Sequence, residues 1–277
     1  MLPSLDPAWL LLAGHLIHAE DNPLRKKLLY LLARRLEMPF LRFSYRALRG
    51  RLRFLTRNRV SRELLRRLAV LPLARYGDTA HPMITADALR LVAAQDTAIA
   101  IGPCRCRLAH DGCAHRLETD MVIRTGTGAF TAAFPQDYRV IGKGEAAKLL
   151  RAFADEGLWH MVFLHCPDAA GYNEYAICNC CTCGCVPFML NKFFGQNGFP
   201  LVRGEHVAAT VAENCRGCGG CLEVCPWQAR ALRNGKVAVD PELCFGCGLC
   251  ARFCRNGGVV LNRSRPRPAL RSDRQTA

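Results

Sequence analysis

Residues 215–254 carry one cysteine ladder twice, and no other feature constrains the fold of this chain as strongly. The first copy reads Cys215-x2-Cys218-x2-Cys221-x3-Cys225, followed by Pro226. The second reads Cys244-x2-Cys247-x2-Cys250-x3-Cys254, followed by Arg255. The copies stand 29 residues apart, as Cys215 to Cys244 shows. Three thiolates two residues apart on a tight loop can reach three corners of a metal–sulfur cube. The fourth cysteine is expected to start a helix that crosses the domain. Glycines inside the loops, Gly217 and Gly246 among them, let the backbone approach sulfur and turn N–H groups toward it. A short strand-like stretch precedes each ladder (208–211 and 237–239), and Asn234-Gly235 reads as a turn between the halves.

On these ladders, residues 206–262 resemble a bacterial ferredoxin domain with two [4Fe–4S] clusters, about one fifth of the chain. The resemblance implies crossed ligation. Cys215, Cys218, Cys221 and Cys254 would hold one cluster, and Cys244, Cys247, Cys250 and Cys225 the other. Arg255 departs from the pattern, because a second proline is expected there. It is expected to set a cation beside the cluster that Cys254 helps hold and to shift its potential upward, with Arg216 a second such cation. Pro226, Trp227 and Phe245 are expected to pack near the clusters and exclude water. Structural zinc is the competing use of ladder cysteines, but zinc sites use paired Cys-x2-Cys units rather than a duplicated x2-x2-x3 run.

The 277 residues suit about two domains. The sequence holds 17 cysteines, which in a secreted chain would suggest disulfides, but eight of them belong to the oxygen-sensitive ladders. The apolar run 9–17 has no preceding Lys or Arg and no small-x-small cleavage site, so it does not read as a secretory signal. No stretch approaches the roughly 18 apolar residues of a membrane span. The expectation is a reducing, cytoplasmic compartment, with peripheral contact at the inner face of the membrane an option. Fold class is expected to be α+β, as a basic helical region 1–80, a cysteine-rich α+β domain 81–204, the ferredoxin domain 205–262 and a basic tail 263–277.

The net charge of +15 sits at the two ends. Residues 1–80 hold 16 Lys/Arg against 6 Asp/Glu, residues 81–204 hold 11 against 11, residues 205–262 hold 6 against 5, and the tail holds 5 against 1. Asp6 and Asn22 precede prolines and read as helix caps, as does Ser61 for a helix to about Leu71. Leu41, Tyr45, Leu48, Leu52 and Leu55 form an apolar row beside Arg42, Arg46, Arg49, Arg53 and Arg57, with Phe40, Phe43 and Phe54 adding aromatic bulk and Gly50 interrupting the pattern. Such a stripe suits an anionic membrane or an acidic protein surface through residues 24–67. It equally suits a core-facing helix with a solvated cationic face. Nucleic acid is the weakest reading, because charge alone reports phosphate affinity and no base-reading motif is present.

Nine cysteines lie outside the ladders. Cys104 and Cys106 follow an apolar strand near 98–101, and Cys113 comes seven residues later. Cys178, Cys180, Cys181, Cys183 and Cys185 precede a helix expected over 186–194 and ended by Gly195. Strands near 121–124 and 161–165 and a helix near 145–156 lie between, with Cys166 just after the later strand. A strand–helix–strand order can bring strand ends to one edge, and with them the two cysteine groups. Three uses compete. A third iron–sulfur cluster would draw on Cys104, Cys106 and Cys113 with members of the 178–185 group. Zinc would use His110 or His115 with Cys104, Cys106 and Cys113. Reactive thiol chemistry would exploit Arg105 and Arg107, which favour thiolates. His160 and His165 read as packed rather than catalytic. Gly126-Thr127-Gly128 lacks a third glycine and a following helical pattern, so it is not read as a dinucleotide site.

These features point to an iron–sulfur electron-transfer protein that passes low-potential electrons to or from a partner redox protein. The alternative is an oxidoreductase with a substrate-facing metal or thiol centre in residues 98–185, fed by the ferredoxin module.

Overall fold

The computed structural model describes residues 38–67, 80–164, 174–196, 199 and 201–266. The caps expected at Asp6 and Asn22, the apolar run 9–17, His165, Cys166 and most of the basic tail lie outside these residues. The fold is α+β. Its centre is a six-stranded antiparallel sheet of β1 (Ala80–Met83), β2 (Ile99–Pro103), β3 (Glu118–Val122), β4 (Arg139–Ile141), β5 (Trp159–Leu164) and β6 (Glu174–Cys180), in the order β1-β5-β6-β3-β2-β4.

The central strands are apolar on both sides because both faces of the sheet are covered. On one face the helices Thr85–Ala93 and Lys143–Asp155 bring Leu91, Val92, Ala146, Leu150 and Phe153 against Ile99, Ile101, Met121 and Ile177. On the other, the helix Thr125–Ala133 and the segment after it cover Ala100 and Val122 with Phe130, Phe134 and Tyr138. A helix thus runs through Gly126 and Gly128, where the sequence shows no helical pattern. Its apolar face is made by residues that meet the sheet rather than by an unbroken heptad. Nearer β1 and β5, Trp159 and Met161 pack under the helix Val186–Phe194, which ends at Gly195 with φ +71°.

A strand–helix–strand reading suggests parallel pairing, but every pair in this sheet is antiparallel. The strand ends still converge, by a different route. Both β2 and β6 pair antiparallel with β3, so they run in the same direction and finish at the same edge. Asp120 fixes the alignment, since it lies opposite Gly102 on one side and opposite Cys178 on the other.

The ladders sit in a smaller unit. Strand β7 (His206–Thr210) pairs with β10 (Val259–Arg263), while β8 (Arg230–Arg233) and β9 (Lys236–Val239) form a hairpin. Its turn is Asn234-Gly235, both at positive φ (49° and 73°), the backbone a two-residue hairpin turn needs. The helical turns Gly220–Glu223 and Leu249–Arg252 contain the third cysteine of each ladder, Cys221 and Cys250. The fourth cysteines, Cys225 and Cys254, follow these turns and do not start a helix. Each turn begins at a left-handed glycine, Gly219 or Gly248, and spans only four residues.

The basic segment is not one helix. A helix over 38–48 stops before Gly50, where a Cβ would meet Arg46 Cα at 2.8 Å, and the helices Phe54–Arg57 and Arg59–Leu65 follow. The second of these is capped by Asn58, whose side chain accepts from the N–H groups of Val60 and Ser61. Ser61 lies inside that helix and bonds back to the Leu55 carbonyl, so it is not the cap. The first half of the expected apolar row is spent internally. Leu41 and Leu48 are buried in one core with Trp159, Phe188 and Trp227, and Tyr45 stacks on His110 at 3.7 Å and 2°. Phe54, Val60 and Leu64 remain exposed.

Leu48→Ala is therefore expected to destabilise the folded state by about 2–4 kcal/mol, the usual cost of emptying a buried leucine site. Denaturant titration measures it, and a change under about 0.5 kcal/mol, typical of a surface position, would show that the 38–48 helix is not docked.

Candidate metal centres

The ladder loops close around two cavities. One is lined by Cys215, Cys218, Cys221 and Cys254, and the other by Cys225, Cys244, Cys247 and Cys250. Each cavity thus takes three thiols from one ladder and the last thiol of the other. Gly217 and Gly246, at φ +65° and +77°, occupy matching positions. A Cβ would lie 2.3 Å from Gly235 O at the first and 2.3 Å from His206 O at the second, so neither loop could close with another residue there. The sulfurs also have donors aimed at them. Ala229 N–H donates to Cys225 Sγ at 3.3 Å and Gly258 N–H to Cys254 Sγ at 3.2 Å, the bonds that stabilise a ligating thiolate.

The cation between the cavities is one that sequence reasoning missed. Arg230 lines both, is almost fully buried, and donates to Cys221 Sγ at 3.2 Å while also reaching Cys250. Among the described residues its guanidinium meets thiols and pairs with no carboxylate. Arg255, the expected cation, is exposed and absent from both linings, whereas Arg216 lines the first cavity. The only sequence signal for Arg230 is its place at the start of β8, directly after the ladder, which no spacing rule marks. Trp227 and Phe245 line the second cavity and are both buried.

The middle cysteines gather at the shared edge of β2 and β6 in two sets. Cys104 and Cys106, from the end of β2, lie beside Cys180 and Cys185, from the end of β6 and the start of the next helix. Within this set Cys104 lies near Cys106, and Cys180 near Cys185. Hydrogen bonding from Cys106 favours the Cys104 thiolate and lowers its pKa to about 7. Cys113, Cys181 and Cys183 form the second set. Cys178 joins neither, since its thiol donates to Asp120 Oδ1 at 2.8 Å and burial keeps it protonated. Asp120 is itself buried and also accepts from Tyr138 Oη at 2.6 Å, and burial raises its pKa.

Arg107 sits between the two sets at 3% exposure. It donates to Thr119 Oγ1 at 2.6 Å and to the Arg116 and Asn179 carbonyls at 2.8 and 2.9 Å, and it reaches Cys181. A buried guanidinium with no carboxylate partner is expensive unless anions lie close by. The sulfurs of Cys104, Cys180 and Cys181 lie close enough to act on its charge, and would offset it once deprotonated by a bound metal. The two histidines considered as ligands are otherwise engaged or apart. His110 offers Nε2 to the Gly184 carbonyl and accepts from Gly112 N–H at Nδ1, leaving neither nitrogen for a metal. His115 is not part of the close thiol set. His160 bridges Asn179 and Thr85, and burial depresses its pKa to about 4, so it is a neutral packed residue.

Residues 209–257 match the family of 4Fe-4S dicluster domains. A ferredoxin of Methanocaldococcus jannaschii is 36% identical over 61 residues, which is 20% of this chain and 77% of that protein. The chain belongs to the dicluster ferredoxins. Another ferredoxin of the same organism is 33% identical over 85 residues, 30% of this chain and 50% of its own length. Hydrogenase-4 component A of Escherichia coli (strain K12) is 33% identical over 94 residues, 32% of this chain and 44% of its own. The chain thus spans about half the length of these two relatives. No solved structure matches it.

The matched segment, residues 209–257, is a domain of the kind that holds two 4Fe-4S clusters. The pair of four-thiol cavities fits two cubes, each with backbone N–H donors. Among the described residues no helix is long and apolar enough to cross a membrane. Arg230→Leu removes a buried positive charge from between the cavities and is expected to lower both cluster potentials, by on the order of tens of millivolts. Redox titration followed by EPR measures this. An unchanged or raised potential would show that the guanidinium does not compensate cluster charge.

Proposed function

We propose that this ferredoxin relays single electrons between a partner redox protein and a third [4Fe–4S] centre of its own, held by Cys104, Cys106, Cys180 and Cys185. Its ladder clusters are ligated crosswise, by Cys215, Cys218, Cys221 and Cys254 and by Cys225, Cys244, Cys247 and Cys250. The observation that carries this reading is an aromatic bridge. Trp227 and Phe245, stacked at 4.6 Å and 11°, line the second ladder cavity. Trp227 meets Trp159 at 5.3 Å and Phe188 at 5.6 Å, both edge-on. Trp159 lies opposite Cys180 in the β5–β6 register, and Phe188 is in the helix that Cys185 caps. Dry, close-packed aromatic side chains therefore run from one cluster site to the third centre without an intervening water layer.

The opposite end faces outward. Cys218 is the exposed ladder cysteine, with Arg216 beside it, so the first cluster is the natural point of exchange with a partner. The partner class fits the relatives, which include a hydrogenase component and a subunit of indolepyruvate oxidoreductase from Archaeoglobus fulgidus, 34% identical over 56 residues. Residues 24–67 supply a second contact, to an acidic protein or to anionic lipid at the inner face of the membrane. Phe54, Val60 and Leu64 stay exposed there among Arg57, Arg59 and Arg62, the combination that suits such a surface.

Iron and acid-labile sulfide analysis of anaerobically purified protein tests the third centre. Three cubes require about twelve irons per chain, and Cys180→Ser should reduce this to about eight while leaving the two ladder signals in EPR. About eight irons in the unaltered protein would refute the third cluster.

A further inference from the structure

We propose that Cys113, Cys181 and Cys183 form a separate site for one thiophilic divalent ion of the zinc class, with its fourth coordination position open to solvent. The site shares no ligand with the third cluster of the proposed relay and stands or falls independently of it. Cys180 and Cys181 are neighbours in sequence but serve opposite sides of the sheet edge. Cys180 and Cys185 belong to the core around Trp159, whereas Cys181, Cys113 and Cys183 belong to the core around Leu150 and Phe153.

Sulfur spacing separates a single ion from a cube. The three sulfurs lie 3.5 Å (Cys113–Cys181), 3.1 Å (Cys113–Cys183) and 3.3 Å (Cys181–Cys183) apart. A tetrahedral ion with thiolates at about 2.3 Å sets them about 3.8 Å apart, a small outward adjustment from what is seen. A cube holds its thiolates much farther apart, around a cavity like those of the ladders. Among the described residues this is the one group of three or more potential ligands whose donor atoms all lie within 4.8 Å of one another. No three thiols of the Cys104–Cys185 set come that close.

The surroundings are built for anionic sulfur. Gly184 N–H donates to Cys181 Sγ at 3.2 Å, Arg107 reaches the same sulfur, and the His115 backbone N–H donates to Cys113. A Cβ at Gly184 would stand 3.2 Å from Cys181 Sγ, 3.3 Å from Cys113 Sγ and 3.0 Å from Arg107 Cγ, so a side chain there would crowd the ligands. Charge also balances. A divalent ion with three thiolates carries −1, and the buried Arg107 carries +1; loading the ion displaces one proton from each thiol. His110 is already committed through both nitrogens, and the ring nitrogens of His115 are not among the close donor atoms. Cys113 and Cys183 are partly exposed, so the remaining position faces water. Three protein ligands with an open fourth place distinguish ligand-binding or Lewis-acidic zinc from the sealed structural kind.

Metal analysis of the full-length protein, purified anaerobically, tests this. About one zinc per chain is expected beside the iron, as one tetrahedral site requires. Cys183→Ser and Cys113→Ser should each lose most of that zinc and keep the iron of the unaltered protein, while Cys104→Ser should keep the zinc. Co2+ placed in the site should show thiolate-to-metal absorption that shifts when a small thiol is added, as an open position requires. Absence of zinc, or loss of iron in Cys183→Ser, would overturn the site. A cobalt spectrum insensitive to added thiol would overturn its open position. One zinc with only about eight irons would support this site and sink the third cluster.

Discussion

The alignment of β2, β3 and β6 is the constraint on which the middle of the molecule depends. Asp120 sits between Gly102 and Cys178, and this register carries seven thiols from distant parts of the sequence to one edge of the sheet. The carboxyl of Asp120 locks the arrangement, because Cys178 and Tyr138 both donate to it out of contact with water. A slip of one residue would turn Cys180 toward the face of Cys181 and separate each set from its partners. The strand order thus determines which cysteines can meet, and the side-chain alternation determines into how many sets they fall.

Charge compensation follows the same plan in both halves. Thiolates and the clusters they bind are anionic, and in each half a nearly buried arginine stands between two sets of sulfurs: Arg230 between the ladder cavities, Arg107 between the two groups of middle thiols. Among the described residues neither arginine is paired with a carboxylate. Burying a guanidinium in this way is unfavourable until sulfur anions offset it, so thiolate formation and folding reinforce one another. The apolar side chains then exclude water from the space between the two halves. Trp159, Phe188, Trp227 and Phe245 belong to one core that also buries Leu41 and Leu48, and that core joins the basic segment, the sheet and the ladders into one body.

Much of this was legible in the sequence, and the reasons are local. The ladder spacing identified the ferredoxin unit, and the helix 186–194 with its terminal Gly195 could be read from apolar periodicity and a glycine stop. Asn234-Gly235 announced its hairpin. What could not be read depends on tertiary pairing. No strand is expected from the sequence over 174–180, which is β6, because its alternation of Ala176, Cys178 and Cys180 with Tyr175, Ile177 and Asn179 is masked by the cysteines themselves. Cys113 groups with Cys181 rather than with Cys104, which only the face of each strand decides. Arg107 reads in sequence only as a cation beside reactive thiols and Arg230 carries no signal, and only burial reveals that each stands among two groups of sulfurs. The arginine-flanked leucine row showed its amphipathic character but not its partner, and half of it covers the chain's own core.

The central claim is that the second ladder cluster and the Cys104–Cys106–Cys180–Cys185 centre communicate through packed aromatic side chains. Low-temperature EPR of the fully reduced protein tests this most directly, because neighbouring paramagnetic clusters broaden and split one another's signals. The account predicts a magnetic interaction beyond that of the two ladder clusters alone, lost in Cys180→Ser while the ladder spectrum persists. A spectrum identical in the unaltered protein and Cys180→Ser would contradict it.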